Sequence, residues 1–238
     1  MLLNTAIPLS SGLISFIFAF FIFKRYFERK RAHLLLWGIG TIFYGIGGFC
    51  EFYYGAFGWN EIIFRMWYLF GAILVAAWLG QGTVYLLANR KWANTLMAIL
   101  GVASFYALFR ILTAQLDPSL MIGEGHTGAE LSGHAIITDG VRVLTPFFNI
   151  YGTATLVGGA GYSAWIFWRK RVLLHRTIGN ILIATGALLP AFGGIFSRLQ
   201  FPGALYLGEF FGVILLFIGF QRAITPIEEK TVEVSVGV

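Results

Sequence analysis

Seven long apolar segments, separated by polar connections, constrain this chain more than any other feature of its sequence. They cover approximately 5–23, 34–54, 62–87, 93–113, 141–168, 177–198 and 204–221. Each is close to the ~20 residues that a helix needs to cross the ~30 Å hydrocarbon core of a bilayer. Because no segment shows the dyad alternation of a transmembrane strand, these runs predict helices rather than a barrel. The sequence therefore predicts an all-α integral membrane protein with seven transmembrane helices.

The composition agrees with a membrane domain that extends along the chain. Hydrophobic residues make up 58% of the 238 residues and charged residues only 12%, whereas soluble chains carry about 25% charged residues. We expect residues 1–222 to form a single transmembrane domain, followed by a short cytoplasmic tail at 223–238. The net charge of +6 does not indicate nucleic acid, because the basic residues lie in short clusters between apolar segments.

The distribution of lysine and arginine predicts the orientation. Thirteen of the 17 basic residues, including every lysine, lie at alternate segment ends, in KRYFERKRAH, NRKW and RKRVLLHR and after the seventh segment. Cytoplasmic loops carry an excess of Lys and Arg. The N-terminus is therefore predicted outside and the C-terminus in the cytoplasm, as expected of a multi-pass protein of the plasma or inner membrane.

The two halves of the sequence share three similar blocks in the same order, at nearly constant spacing. AFFIFKR (19–25) matches AWIFWRK (164–170), GIGGF (45–49) matches AFGGI (191–195), and FGAIL (70–74) matches FGVIL (211–215). Helices 1–3 would then repeat as helices 5–7 in the same orientation, with helix 4 as the linker. Such parallel repeats are a transporter plan. Chance alignment of apolar, glycine-rich helices is the alternative interpretation.

This three-plus-one-plus-three plan resembles that of sugar-exporting and PQ-loop transporters in helix count and orientation. A Pro-Gln pair is absent from helices 1 and 5, which carry Pro8 in IPLSS and Pro146 in TPFFN instead. The resemblance therefore ends at the layout, and no family is assigned from it.

Ionisable residues at one level of the predicted membrane define a candidate site. Counted at 1.5 Å per residue along each helix, six helices place a charge near their outer ends. These residues are Glu51, Arg65, Arg110, Arg142, Arg198 and Glu209. Charges within a bilayer normally pair or face water. They therefore predict either an outward-facing polar pocket or a set of structural ion pairs and interfacial side chains.

Four arginines against two glutamates predict a pocket of net positive charge, before the acidic residues of the long outer connection, Glu130 among them, are counted. Arginine binds carboxylate and phosphate bidentately, so a small polar or anionic ligand is expected. Tyr68 matches Glu209 in the repeat and joins the predicted ligand-binding set. Asn149, deeper in helix 5, is also included in that set, although a hydrogen bond to a neighbouring helix is the role that its position favours. Glu209 is expected to pair with Arg65 or Arg198, in preference to carrying a proton or binding a cation.

The long connection at 114–140 contains the apolar stretches LMI and AII. These stretches predict that it folds back as a lid over the outer helix ends. His126 and His134 lie eight residues apart, without HxxxH-type spacing, so no metal site is predicted.

Neither an enzyme nor a cofactor protein is expected. The segments show no nucleophile, acid–base pair or metal cluster at membrane depth. The four histidines lie in loops or at inner helix ends, which disfavours haem, and helices 6 and 7 lack the lysine that retinal requires. We expect a protein of the lipid bilayer that binds or transports a small polar or anionic molecule. The alternatives are an accessory subunit of a larger membrane complex and a receptor-like sensor module that acts through a partner.

Overall fold

The computed structural model describes residues 2–123, 126–127, 130–170, 174–199, 201 and 203–224. Within them, each predicted segment forms one long helix. In chain order the helices are α1 (Leu2–Arg29), α2 (Ala32–Phe57), α3 (Glu61–Leu87), α4 (Arg90–Leu112), α5 (Val141–Arg169), α6 (Leu174–Arg198) and α7 (Ala204–Ile224). The predicted tail lies outside the described residues, apart from its first two residues, which end α7.

Six of the helices in the described part of the chain are long and apolar enough to cross a membrane: α1, α2, α3, α4, α6 and α7. The prediction of an all-α, multi-pass membrane protein is confirmed to this extent. The remaining long helix, α5, has 29 residues but is not in this set. Thr, Asn and Gly residues interrupt its apolar sequence and lower its mean hydropathy.

Six helices pack as a closed ring. Each helix in the series α1, α2, α3, α5, α6 and α7 contacts the next, and α7 returns to α1. The fourth helix, α4, lies outside this ring against α3 and α5. Its outer face exposes large apolar side chains, among them Trp92, Val102, Phe105 and Phe109. A patch of this kind requires an apolar environment such as lipid or another membrane helix.

A buried glutamine links the three helices on this side of the bundle. The Nε2 atom of Gln81 in α3 donates a 2.8 Å hydrogen bond to the carbonyl of Ala93 in α4, and the Tyr151 hydroxyl of α5 donates to its Oε1 atom. Polar groups at such depth must find partners within the protein. Gln81 therefore orients α4 against the ring.

Two glycines allow α3 and α5 to approach at backbone distance. A Cβ atom added to Gly152 would lie 2.1 Å from the carbonyl carbon of Ala76, and one added to Gly80 would lie 2.7 Å from the carbonyl oxygen of Gly152. Small residues permit this approach between membrane helices. Since the contacts are with backbone atoms, neighbouring side chains cannot move aside to relieve them.

The third helix contains a π-helical stretch from Trp67 to Leu74, with α-helix on either side at Glu61–Met66 and Val75–Leu87. π-Helical turns are rare and occur frequently at functional sites. At Gly71 this stretch meets α2, where a Cβ atom added to Gly47 would lie 3.0 Å from the Gly71 Cα atom.

Residues 114–140, here termed the cap segment, cover one end of the bundle. They contain two short helical turns and two paired strands: Pro118–Met121, Gly133–Ala135, β1 (Ile122–Gly123) and β2 (His126–Thr127). The side chains of Met121, Leu131 and Ile136 are buried in one apolar cluster with residues of α3 and α4. The segment therefore folds back over the helix ends, as its apolar stretches predict.

A hydrogen-bonded turn begins the cap segment. The backbone N–H and hydroxyl of Ser119 donate to Asp117 Oδ1 at 2.9 and 2.6 Å. Since these bonds favour the charged form, they hold the pKa of Asp117 below its ordinary value.

The backbone contact between α3 and α5 yields a testable prediction. We expect Gly152→Ala to lower the melting temperature of the purified protein in detergent, because overpacking typically costs about 1–3 kcal/mol. Each kcal/mol corresponds to a shift of about 2–4 °C in a chain of this size.

The matched control is Gly158→Ala on the same helix, where an added Cβ atom meets nothing within 4 Å. That substitution is expected to leave the melting temperature unchanged or to raise it, because alanine is the better helix former. Equal melting temperatures for the two variants would contradict the proposed packing constraint.

Candidate functional site

A cavity of about 660 Å³ lies within the helix ring and beneath the cap segment. Its walls come from α2, α3, α5, α6 and α7, and residues 130–134 of the cap segment contribute to its lining. The deepest lining residues on α3, α5 and α7 are Leu79, Leu156 and Leu216. Small-molecule sites typically occupy about 300–1,000 Å³, so this space is large enough for an organic ligand.

Five of the eight predicted ligand-binding residues line the cavity. They are Glu51 on α2, Tyr68 on α3, Arg142 and Asn149 on α5, and Glu209 on α7. These residues are up to 158 positions apart in the sequence, and the ring brings them to one space. The site therefore depends on the closure of the ring and not on a local motif.

Arg65 points away from the cavity and fastens α3 to the end of α4. Its guanidinium forms an ion pair with Glu61 at 2.6 Å and donates to the carbonyl oxygens of Ile111 and, at 2.9 Å, Ala114. Arg65 is predicted to contribute to the pocket, but it is not among the residues that line the cavity. Its observed contacts are structural.

Arg110 also makes contacts that hold helices together. It donates to the Tyr106 hydroxyl at 3.0 Å and to the backbone carbonyl of Asp139, immediately before α5 begins. It does not line the cavity. The backbone of Arg198 ends α6, and its side chain lies outside the part of the structure that is described.

Glu51 is nearly inaccessible, with 1% of its side chain exposed. The indole Nε1 atom of Trp67, the first residue of the π-helical stretch, donates to its Oε1 atom at 2.9 Å. The other oxygen, Oε2, has no hydrogen-bond partner. A buried acceptor in this state is rare in native proteins and requires an explanation.

The carboxyl group of Glu209 lies beside that of Glu51, so that the two groups interact directly. The predicted pairing of Glu209 with Arg65 is wrong, because Arg65 is turned toward α4. The ion pair between Arg65 and Glu61 is the one that occurs among the described side chains. The Tyr44 hydroxyl donates a 2.8 Å hydrogen bond to the backbone carbonyl of Glu209 and so ties α2 to α7 at this level.

Glu130 of the cap segment is a third carboxylate at the cavity, and the sequence did not single it out. Its oxygens accept a hydrogen bond from the Ser197 hydroxyl of α6 and a 2.7 Å bond from the backbone N–H of Gly203. These bonds fasten the cap segment to the turn between α6 and α7. No motif around Glu130 distinguishes it from an ordinary loop acid, so only its contacts reveal its position.

Asn149 and Tyr68 join α3 to α5 along the cavity wall. The side chain of Asn149 donates a 2.9 Å hydrogen bond to the backbone carbonyl of Ala72. The Thr145 hydroxyl donates a 2.9 Å hydrogen bond to the Tyr68 hydroxyl. Both partners on α3 belong to the π-helical stretch. The two bonds therefore hold that stretch in place and orient its aromatic side chains.

The charge balance of the cavity is the opposite of the predicted one. Three carboxylates, Glu51, Glu130 and Glu209, line it together with one arginine, Arg142. Because Arg65 and Arg110 lie elsewhere, the predicted net positive pocket is wrong for the side chains that are described. Even a contribution from Arg198 would leave the carboxylates in excess.

The described residues contain no group of three or more His, Cys, Asp and Glu side chains that could hold a metal ion. The ring of His134, which lines the cavity, shares a 2.7 Å hydrogen bond with the Ser132 hydroxyl through Nδ1. The side chain of His126 is outside the described part.

No protein-family model, curated protein or solved structure matches this chain. Its function therefore has to be inferred from the cavity itself.

The contacts of Arg65 predict the effect of its removal. Arg65→Ala is expected to lower the melting temperature in detergent, since it leaves two helix-end carbonyls without their donor, and unsatisfied buried groups cost about 1–3 kcal/mol each. Arg29→Ala, at an exposed position near the end of α1, is the control and should have no effect. An unchanged melting temperature for Arg65→Ala would show that these contacts contribute nothing to stability.

Proposed function

We propose that this protein binds a small polar molecule in the cavity and carries it across the membrane. The proposal includes α5 as a seventh membrane span, an external N-terminus, a cytoplasmic C-terminus, and residence in the plasma or inner membrane as one domain. Support for α5 comes from its place in the ring between two apolar helices and from its length. At about 1.5 Å per residue, its 29 residues exceed the ~30 Å of a hydrocarbon core.

The basic clusters support the proposed orientation. They occupy the connections α1–α2, α3–α4 and α5–α6, whereas the cap segment covers the ends of the helices on the opposite side. If the basic connections are cytoplasmic, the cavity faces the exterior beneath the cap segment. Leu79, Leu156 and Leu216 would then separate it from the cytoplasm.

The ring order supports the proposed internal repeat. A half-turn about the ring axis exchanges α1, α2 and α3 with α5, α6 and α7, and it maps every neighbouring pair of helices onto another neighbouring pair. The repeat also equates Glu51 with Ser197 and Tyr68 with Glu209, and all four line the cavity. Transporters built from parallel repeats bind their substrates at the interface between the repeats.

The single observation that carries the proposal is the cavity inside the helix ring, which Glu51 lines. Ionisable residues inside membrane bundles are costly and commonly mark substrate or ion pathways. Here the carboxylate is buried, its Oε2 atom accepts no hydrogen bond from the described donors, and its side chain lines a space of ligand size. A purely structural carboxylate would be expected to have its partners within the protein.

A sensor that acts through a partner is the second candidate. The cap segment favours this function, because Glu130 fastens it to α6 and to the following turn. A lid held in this way is compatible with a ligand that binds and leaves on one side without crossing the membrane. The apolar outer face of α4 is the feature that favours an accessory subunit. Access to the cavity distinguishes the three functions.

Access can be measured with Thr153→Cys, a cavity position on α5, in a Cys50→Ser background. We expect a membrane-impermeant, cationic methanethiosulfonate reagent to label it from both faces of sealed vesicles, since a transporter exposes its site alternately to each side. Val102→Cys on the outer face of α4, which is 74% exposed, is the lipid-facing control and should stay unlabelled.

Labelling of Thr153→Cys from one face alone would overturn transport in favour of sensing. An absence of labelling from either face would overturn both and would leave the subunit function.

The orientation can be tested with the same reagent in intact cells. Ser119→Cys in the cap segment should react from outside, whereas Lys91→Cys, in the first turn of α4, should react only after permeabilisation. Both positions are exposed, so a difference between them reports sidedness. The reverse pattern would invert the proposed topology.

A further inference from the structure

We infer that the ligand of the cavity is an organic ammonium ion, a protonated amine with at least one N–H, held by the Glu51 and Glu209 carboxylates. The inference rests on the proposed function, since it names the chemical class that the same cavity takes. An ammonium ligand is opposite in charge to the anionic ligand that the count of arginines predicts.

The unpartnered oxygen of Glu51 specifies a hydrogen-bond donor. Its Oε1 atom accepts from Trp67, its Oε2 atom accepts from none of the described N–H or O–H donors, and the residue is 1% exposed in the cavity lining. The Glu51 and Glu209 carboxyl groups lie within hydrogen-bonding reach of each other, and two acceptors in such contact need a proton or a cationic donor between them. An ammonium N–H aimed at Oε2 would complete the set of bonds. Charge-assisted hydrogen bonds of this kind are roughly twice as strong as neutral ones.

The neighbourhood of Glu51 specifies positive charge. Glu209 interacts with it directly, and Glu130 and the buried hydroxyl of Tyr206 lie within electrostatic range. Two carboxylates that share a site repel each other when both are ionised. An ammonium ion between them would neutralise this repulsion, whereas a carboxylate or phosphate ligand would increase it.

Among the side chains that the structure describes, no basic group already supplies that charge. Arg142 lies within electrostatic range of Tyr68, and no described basic side chain comes within 4.0 Å of the three carboxylates. His134 is engaged by Ser132. The carboxylates therefore have room for a cation from outside the protein.

The size and lining of the space indicate an organic cation rather than a bare ion. Calcium takes six to eight oxygen ligands, and the described residues contain no cluster suited to a metal. The aromatic rings of Tyr44, Trp67, Tyr68 and Phe201 line the cavity instead. Such rings attract organic cations through their faces and also accommodate an apolar substituent.

The test compares three probes of one size and different charge: phenethylammonium, phenylacetate and phenylacetamide, at equal ionic strength. Each is titrated into the purified, full-length protein in detergent, and the melting temperature is recorded. We expect only phenethylammonium to raise it. The N-trimethylated form, which has no N–H, should bind more weakly.

Glu51→Gln is expected to weaken the apparent affinity for phenethylammonium at least tenfold, because the amide keeps the shape of the side chain and the bond from Trp67 but removes its charge. Glu61→Gln is the matched control. Glu61 has a side chain that is 59% exposed and pairs with Arg65 away from the cavity, so its substitution should leave the affinity unchanged. Should Glu51→Gln fail to fold, Glu209→Gln is read in the same assay.

Stabilisation by phenylacetate, an unchanged affinity in Glu51→Gln, or no stabilisation by any of the probes would each overturn the ammonium inference. None of these results touches the proposed function as long as the thiol reagent labels Thr153→Cys from both faces of the vesicles. Phenethylammonium, but not phenylacetate, should also slow that labelling reaction, which provides a second readout that does not depend on a glutamate variant. Equal protection by both probes would count against the inference.

Discussion

A peptide group inside a lipid bilayer has no water to bond with, and the rest of this structure depends on that constraint. Each crossing segment must satisfy its own backbone, so it becomes a helix, and association between helices is left to packing and to side chains. Glycines supply the packing. Gly152 lets α5 approach the backbone of α3, and Gly186 lets α6 approach α7, where an added Cβ atom would lie 2.7 Å from the carbonyl oxygen of Gly212.

Because water is scarce inside the bundle, each charged side chain needs a partner within the protein, and a missing partner indicates a role beyond stability. Arg65 and Arg110 are satisfied by backbone carbonyls at helix ends, and Glu130 is satisfied by Ser197 and Gly203. Glu51 is the exception, because one of its oxygens lacks a partner and its nearest charged neighbour, Glu209, has the same sign. A protein that keeps such a group in its interior gains from it only when a proton or a cationic ligand completes the site. This contrast between satisfied and unsatisfied charges supports the proposed function.

The π-helical stretch of α3 connects the packing of the ring to the chemistry of the cavity. It carries Trp67, which binds Glu51, and Tyr68, which faces the same space, and it is held from α5 by Asn149. Because a π-helical turn contains more residues than an α-helical one, it changes the direction in which the following side chains point. In a plain α-helix these two aromatic side chains would point differently relative to Glu51.

The sequence by itself determined the seven helices and their ends to within six residues, because the length of an apolar run depends on the bilayer and not on neighbouring helices. It also determined the depth of each charge, since depth is simply a position along one helix. Only the tertiary structure decided which way each charge faces. Arg65 and Glu51 are predicted at the same level, yet one turns outward to α4 and the other inward to the cavity. Which neighbour a side chain faces depends on where the other helices of the ring lie. The π-helical stretch further changes the angle at which side chains of α3 leave the helix axis. For that reason five of the eight predicted residues line one cavity, while the charge predicted for it has the wrong sign among the described side chains.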